Sequence, residues 1–296
     1  MSLEKDGIII RAMSGFYYVR CGDTTVVCRA RGRFRRDGET PLVGDHVTVE
    51  TAADNTGTVS GILERRNAFA RPSIANVDAL VMILSGAIPV TDPFLVDRIT
   101  VRCEKNHCGV ILVINKMDLD PADELRSIYA SAPYPVYPVS AATGEGIEAL
   151  RNALEGKICC FTGNSGVGKS SILNALCPGL SVPTAEVSTK LGRGRHTTRH
   201  VELFPVGNGT YIADTPGFAS LDDEGEEPIR AAELPGLFPE FSEPAQCCRF
   251  DDCTHRREPG CAVREASEGG AIHPSRYSSY LRLYEEAAKI KDWELK

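Results

Sequence analysis

Hydrophobic and polar positions divide the chain into three patterns. Up to about residue 70, short runs rich in Ile, Val, Tyr and Thr alternate with Gly-Asp, Asp-Gly and Asn-Thr-Gly turn clusters. They predict strands over Gly7–Arg11, Phe16–Cys21, Thr24–Ala30, Asp45–Thr51 and Gly57–Leu63. So many short strands in so few residues fit a small closed barrel, with the OB-fold as the commonest answer and the SH3-like barrel as its competitor. From Val77 the period changes. Ala79–Leu84 and Val110–Ile114 are continuous apolar runs, which suit strands buried on both faces of a parallel sheet. Pro93–Glu104 between them reads as a helix, with Pro93 in the first turn after Asp92. The alternation continues through a strand at Tyr134–Val139, a helix at Glu148–Leu154, a strand at Ile158–Thr162, a helix at Ser170–Leu176, and strands at Val201–Phe204 and Tyr211–Ala213. That is α/β architecture, a mostly parallel sheet with helices on both faces. After Asp222 an acidic stretch leads to a Cys/His cluster and a C-terminal helix. There Tyr277, Leu281, Tyr284 and Ala288 fall at helical spacing and predict a packing face. The expected division is 1–68, 69–222 and 223–296.

Composition keeps the chain among soluble globular proteins: 42% of its 296 residues are hydrophobic and 25% charged. No apolar run is long enough for a transmembrane helix, and the start lacks a secretory signal. Eleven scattered cysteines suit reduced thiols in a cytosol, and Cys159 and Cys160 read as small core residues. The net charge of −7 is uneven. From Leu221 onward there are 10 Lys/Arg against 17 Asp/Glu, whereas Arg29, Arg31, Arg33, Arg35 and Arg36 form a basic run and Lys190 to His200 carries no acid. Local patches, not the total, decide contact with RNA.

Residues 163–170, Gly163, Asn164, Ser165, Gly166, Val167, Gly168, Lys169 and Ser170, match the phosphate loop GxxxxGK[ST] and lie between a predicted strand and a predicted helix. In such a loop, successive backbone N–H groups turn onto phosphate oxygens. Lys169 adds a point charge at the β and γ phosphates, Ser170 binds Mg²⁺, and Ser171 extends the contact. Asn115, Lys116, Met117 and Asp118 end a strand. A carboxylate at Asp118 can accept from guanine N1–H and the 2-amino group, whereas adenine would leave it unpaired; sites of this kind discriminate by about 10⁴ or more. Ser140 and Ala141 follow, small enough to let backbone amides reach the guanine O6. Asp214, in Asp214-Thr215-Pro216-Gly217, is placed to hold Mg²⁺ through water, and the Gly217 amide to sense the γ-phosphate. Thr198 is preferred to Thr197 as the threonine that closes over the ion. Phe218 stands where a water-orienting glutamine is common, so hydrolysis is expected to be slow unless another group positions the water. His196 is one candidate; contact with phosphate or RNA is its equal alternative.

Cys248-x₄-Cys253-x-His255-x₅-Cys261 supplies three thiolates and an imidazole within 14 residues, a set for one structural Zn²⁺, with Cys247 as an alternative first ligand. In this chain the base-reading elements precede the phosphate loop, the reverse of the ordinary order, so the GTPase domain is circularly permuted. The segment after Gly217, which moves when the γ-phosphate is lost, then runs into the Cys/His module, and hydrolysis is expected to reposition that module.

A barrel, a permuted GTPase domain carrying Gly194-Arg195-His196-Thr197-Thr198, and the Cys/His spacing together resemble the ribosome small-subunit-dependent GTPase A family (RsgA, also called YjeQ) over essentially the whole chain. The cysteine usage and the lack of an apolar span predict a cytoplasmic protein without membrane contact, and no feature of the sequence calls for more than a monomer. The resemblance implies a GTP/GDP-binding enzyme. It further implies late maturation of the small ribosomal subunit, contact with its rRNA, and subunit-stimulated hydrolysis and release. Two alternatives remain: a permuted GTPase acting on another target such as the large subunit, and an RNA-binding scaffold with nucleotide as a structural ligand.

Overall fold

The structure, a computed structural model, describes residues 3–32, 34, 38–52, 55–70, 72–177, 201–214 and 227–290. Its first five strands are β1 (Leu3–Met13), β2 (Phe16–Cys21), β3 (Thr24–Ala30), β4 (His46–Thr51) and β5 (Thr56–Ile62). They close into a barrel in the order β1-β2-β3-β5-β4, with β3 and β5 running parallel and the other pairs antiparallel. This is OB-fold topology, and closure removes the exposed edges that short strands cannot otherwise protect. Alternate residues such as Val19, Cys21, Val47, Val49 and Val59 fill the interior. A two-strand ribbon, β6 (Ala68–Phe69) and β7 (Ile74–Ala75), follows the barrel.

The second layer is a six-stranded sheet of β8 (Ala79–Ser85), β9 (Gly109–Asn115), β10 (Val136–Pro138), β11 (Ile158–Thr162), β12 (Leu203–Gly207) and β13 (Thr210–Asp214). The order is β10-β9-β8-β11-β13-β12, parallel except for the edge strand β12. Helices α1 (Pro93–Lys105) and α2 (Asp123–Tyr129) cover one face, where Leu80, Met82, Leu84, Leu112 and Cys160 point. Helices α3 (Ile147–Leu154) and α4 (Lys169–Leu176) cover the other, against Val81, Ile83, Val113, Cys159 and Phe161. Cys159 and Cys160 are therefore core residues, one on each face. Burial pushes the Cys159 thiol up to about 12, which leaves it inert. The β12 strand starts and ends later than its hydrophobic run suggests. Pro205, which reads as a strand break, is tolerated because β12 is an edge strand.

One continuous core joins the barrel to the α1/α2 face of the sheet. Polar ties reinforce it: buried Asp45 accepts from Arg65 Nε at 2.7 Å and Nη2 at 2.8 Å, and Arg66 pairs with Asp78. Strand β1 also bridges to the approach of β12, where Arg11 pairs with Glu202.

The C-terminal module comprises short helical turns over 234–245, helix α5 (Ala262–Glu268) and helix α6 (Pro274–Ala287) around Phe238, Phe241, Val263, Ile272 and Tyr280. The predicted residues Tyr277, Leu281 and Tyr284 do pack against this core, at its margin, while the centre of the buried face is Arg276, Ser279, Tyr280 and Leu283. Arg276 is wholly enclosed. It donates from Nη1 to Asp97 at 2.6 Å on α1, and from Nε and Nη2 to Glu240 at 2.6 and 3.1 Å. The rings of Tyr129, Tyr134 and Phe238 surround it. The module is thus anchored on α1 and does not hang from the preceding linker alone.

Candidate nucleotide site and Cys/His centre

The chain runs β8, β9, β10 outward in one direction and β11, β13 in the other, so the topology switches between β8 and β11. Open α/β sheets bind ligands outside the carboxyl ends of their strands at such a point. The loops that meet there are 86–91 after β8, 116–122 after β9, 139–146 after β10 and 163–168 after β11.

Asn115, buried at the end of β9, ties three of these segments together. Its Nδ2 donates to the Val167 carbonyl at 2.8 Å, and its Oδ1 accepts the Ala141 N–H at 3.0 Å. One side chain therefore spans the phosphate loop and the Ser140-Ala141 segment. Ser140 Oγ donates to Asp118 Oδ1 at 2.6 Å and accepts the Thr143 N–H at 3.2 Å, fixing the carboxylate by a buried hydroxyl. Met117 N–H donates to the Val139 carbonyl at 3.2 Å, which locks the two loops in register.

In the phosphate loop, Val167 is a fully buried plug between β11 and α4. Gly168 carries φ of +96°, and a Cβ there would overlap Asn115 Nδ2, so both the conformation and the space require glycine. Lys169 and Ser170 begin α4 directly after the loop, so the helix N-terminus, the end that favours anions, adjoins it. Asp214 closes β13 beside Phe161 of β11, so its backbone lies at the same end of the sheet. His196, Thr198, Gly217 and the arginines Arg33, Arg35 and Arg36 lie outside the described residues. Of the basic run, Arg29 stacks over the Phe16 ring and Arg31 pairs with Glu50.

The loop 86–91 is absent from the sequence reading of the site. Its Ile88 carbonyl accepts Lys116 Nζ at 2.7 Å, and Pro89 lies against Gly166. Thr91 closes the loop: its N–H donates to the Ser85 carbonyl and its Oγ1 accepts the Ser85 N–H, both at 2.9 Å. Gly86 and Pro89 directly after a fully buried parallel strand are the signal that marks such a loop.

The sulfurs of Cys248, Cys253 and Cys261 and a ring nitrogen of His255 all lie within 4.8 Å of one another. His255 Nδ1 stands 3.5 Å from the sulfurs of both Cys248 and Cys261. Bond lengths of about 2.0–2.3 Å place ligand atoms of a tetrahedral zinc roughly 3.5–4 Å apart, so the set is compatible with that ion. Cys247, the alternative first ligand, is exposed and outside the cluster. Burial lowers the His255 pKa, favouring the neutral ring that a metal requires. The supporting shell is built from the same module. Tyr277 donates to the His255 carbonyl at 2.7 Å, Tyr280 donates to that of Thr254, and Phe241 meets the imidazole edge-on. Glu258 accepts from Thr254 Oγ1 and from the N–H groups of Thr254, Arg256 and Arg257. Partial burial works against its charged form, but these donors prevail and hold it at about 2.

A GxxxxGK[ST] loop at the switch point, met by the 116–122 and 139–146 loops that come earlier in the chain, defines a circularly permuted P-loop GTPase. The profile of the RsgA GTPase family matches residues 62–224, and that of the RsgA N-terminal domain matches residues 6–59. A relative from Geobacillus sp. (strain WCH70), named small ribosomal subunit biogenesis GTPase RsgA, is 45% identical over 292 residues, covering 97% of this chain and 98% of its own. The protein of the same name from Halalkalibacterium halodurans is 44% identical over 286 residues, covering 95% and 96%. Among solved structures, YjeQ from Thermotoga maritima superposes with a TM-score of 0.84 at 36% identity over 98% of this chain and all of its own. YloQ, described as a circularly permuted GTPase, gives 0.82 at 36% identity, covering 98% and 96%. The chain belongs to the RsgA GTPase family.

Proposed function

We propose that this chain is a GTP-driven switch in the late maturation of the small ribosomal subunit, binding the particle with GTP and leaving after subunit-stimulated hydrolysis. The observation that carries the nucleotide half is the Asn115 side chain, held between Val167 and Ala141, which makes the base-reading and phosphate-binding segments one unit. The ribosomal half rests on relatives that match nearly the full chain and bear the subunit in their names.

In this reading Asp118, oriented by Ser140, accepts from guanine N1–H and the 2-amino group. The Ala141 segment meets O6, and the stem of Lys116 with Met117 flanks the base. Amides of residues 163–168 and the first turn of α4, through Ser171, surround the phosphates, with Lys169 at the β and γ positions. Ser170, Asp214 and Thr198 are the groups for Mg²⁺, which neutralises charge on the phosphates. Gly217 senses the γ-phosphate, and His196 orients the attacking water or contacts phosphate or RNA. Cys248, Cys253, His255 and Cys261 hold one structural Zn²⁺. We assign the barrel to 1–68, the GTPase domain to 69–222 and the zinc module to 223–296, in a monomer of the cytoplasm. No helix among the described residues is long and apolar enough to cross a membrane.

Turnover assays test this. Weak intrinsic hydrolysis that rises by orders of magnitude with purified small subunits is expected. A flat response to small subunits with a rise on large ones would move the target, and no turnover in either case would leave a scaffold. His196→Ala should depress stimulated turnover; an unchanged rate would remove it from catalysis.

A further inference from the structure

Five large apolar side chains are exposed among the described residues, and three of them sit at the mouth of the nucleotide site. They are Ile88 (88% exposed), Val90 (63%) and Leu119 (70%). Ile88 and Val90 form the tip of the 86–91 loop, and Leu119 stands in the turn directly after Asp118. The two loops touch: Lys116 Nζ donates to the Ile88 carbonyl, and Gly86 lies against Asp120 and Ala122. Isolated exposed apolar residues mean little, but three on adjoining loops beside a ligand cleft form a patch that a partner would cover.

Charge decides the class of partner. Segments 86–92 and 117–124 carry Asp92, Asp118, Asp120, Asp123 and Glu124 and no Lys or Arg. Among the described residues, Lys116 is spent on the Ile88 carbonyl and Arg126 pairs with Asp123 at 3.6 Å, which leaves Asp92, Asp120 and Glu124 to set the charge of the rim. A bound nucleoside triphosphate adds further negative charge. An RNA backbone would meet repulsion here, whereas a cationic protein surface meets complementary charge around apolar anchors.

We propose that Ile88, Val90 and Leu119 dock a basic protein segment of the small ribosomal subunit, one that presents an apolar face flanked by Lys or Arg. This rests on the subunit being the partner, as argued above. The contact is placed to influence turnover, because Pro89 of the same loop packs on Gly166 of the phosphate loop and Ile88 holds Lys116 beside the base site.

The test uses the full chain with a photo-reactive benzoylphenylalanine at position 90, bound to purified small subunits with a non-hydrolysable GTP analogue. Irradiation should yield an adduct to a Lys/Arg-rich peptide of a ribosomal protein. An adduct to rRNA, an adduct to a second copy of this chain, or no adduct from a demonstrably bound complex would each overturn the proposal. In parallel, the double variant Val90→Ser, Leu119→Ser should keep intrinsic turnover and fluorescent-GTP affinity while stimulated turnover falls at least about tenfold. Asp123→Lys with Glu124→Lys should lower stimulation in the same direction and slow association. Unchanged stimulation in both doubles would also overturn it. A wild-type chain indifferent to small subunits, by contrast, would remove the partner itself, and this docking site with it.

Discussion

Asn115 links two loops through one amide, and its loss leaves two backbone groups unpaired. Asn115→Ala leaves the Val167 carbonyl and the Ala141 N–H without partners. Each orphaned buried group costs about 1–3 kcal/mol, so nucleotide affinity should fall on the order of 10- to 100-fold or more. Titration with a fluorescent guanine nucleotide reads this directly, and an affinity within a factor of two of wild type would deny the bridge its role. Asp118→Asn tests the other end of the site. The amide offers a donor where xanthine offers an acceptor, so preference should move from GTP towards xanthosine triphosphate. Competition between the two nucleotides measures the shift, and retained guanine preference would place base recognition elsewhere. That the 115–118 and 163–170 segments would meet was legible in the sequence, because each is a contiguous motif in a strand–loop context. The 86–91 loop was harder to read. It contributes a carbonyl and a ring contact, neither of which requires a distinctive side chain.

At the scale of elements, α6 and α1 meet through Arg276. Burial opposes its charge, yet Asp97 and Glu240 hold the guanidinium firmly protonated. For Asp97, burial outweighs the attraction of Arg276 and raises the carboxyl pKa. Arg276→Met would leave two buried carboxylates without their cation, which costs about 3–5 kcal/mol. Converting Asp97 and Glu240 to Leu as well should recover most of that loss, as urea unfolding would show. The pH dependence has a definite sign. Without Arg276 the folded-state pKa of Asp97 rises further above its unfolded value, so the variant is favoured by protonation. Its deficit should grow as pH rises from about 4 towards neutrality. A deficit independent of pH would mean that Asp97 is not the group left stranded. Periodicity found α6 but centred its face on Tyr277, Leu281 and Tyr284. A hydrophobic pattern assigns an arginine to solvent, and only partners from α1 and the 239–241 turn make its burial tolerable. Helix α2 was missed for a related reason: it has seven residues and no side-chain cap. The Cys/His loop gives a separate test. Removing the metal should abolish amide-exchange protection over 248–261, because bound zinc can contribute on the order of 10 kcal/mol to such a module. Nucleotide affinity should stay largely intact, and equal loss of both would contradict a purely structural ion.

For the whole molecule, a common core makes the barrel and the nucleotide sheet one body, while α1 carries the C-terminal module on the same face. The expectation that hydrolysis swings the module through its linker is therefore revised. Any such motion must also work against the Arg276 contact. The barrel's basic run offers the complementary test on the particle. Arg33→Ala with Arg35→Ala should weaken subunit binding and flatten its log–log salt dependence by about 1.4–1.8 if each arginine neutralises one phosphate. Unchanged binding would remove that loop from the interface. Permutation has one further outcome, set by the order of translation. Of the six-stranded sheet, strands β8, β9 and β10 leave the ribosome first, and β8 then has its β11 side bare. The Asn115 amide waits for Val167, made 52 residues later. Until the stretch at 158–162 is synthesised and docks there, the nascent chain carries half a sheet with an open seam. In this chain the half of the sheet that carries Asn115 and Asp118 is made first, and the cleft at the switch point comes into being only when the later strand slots in beside it.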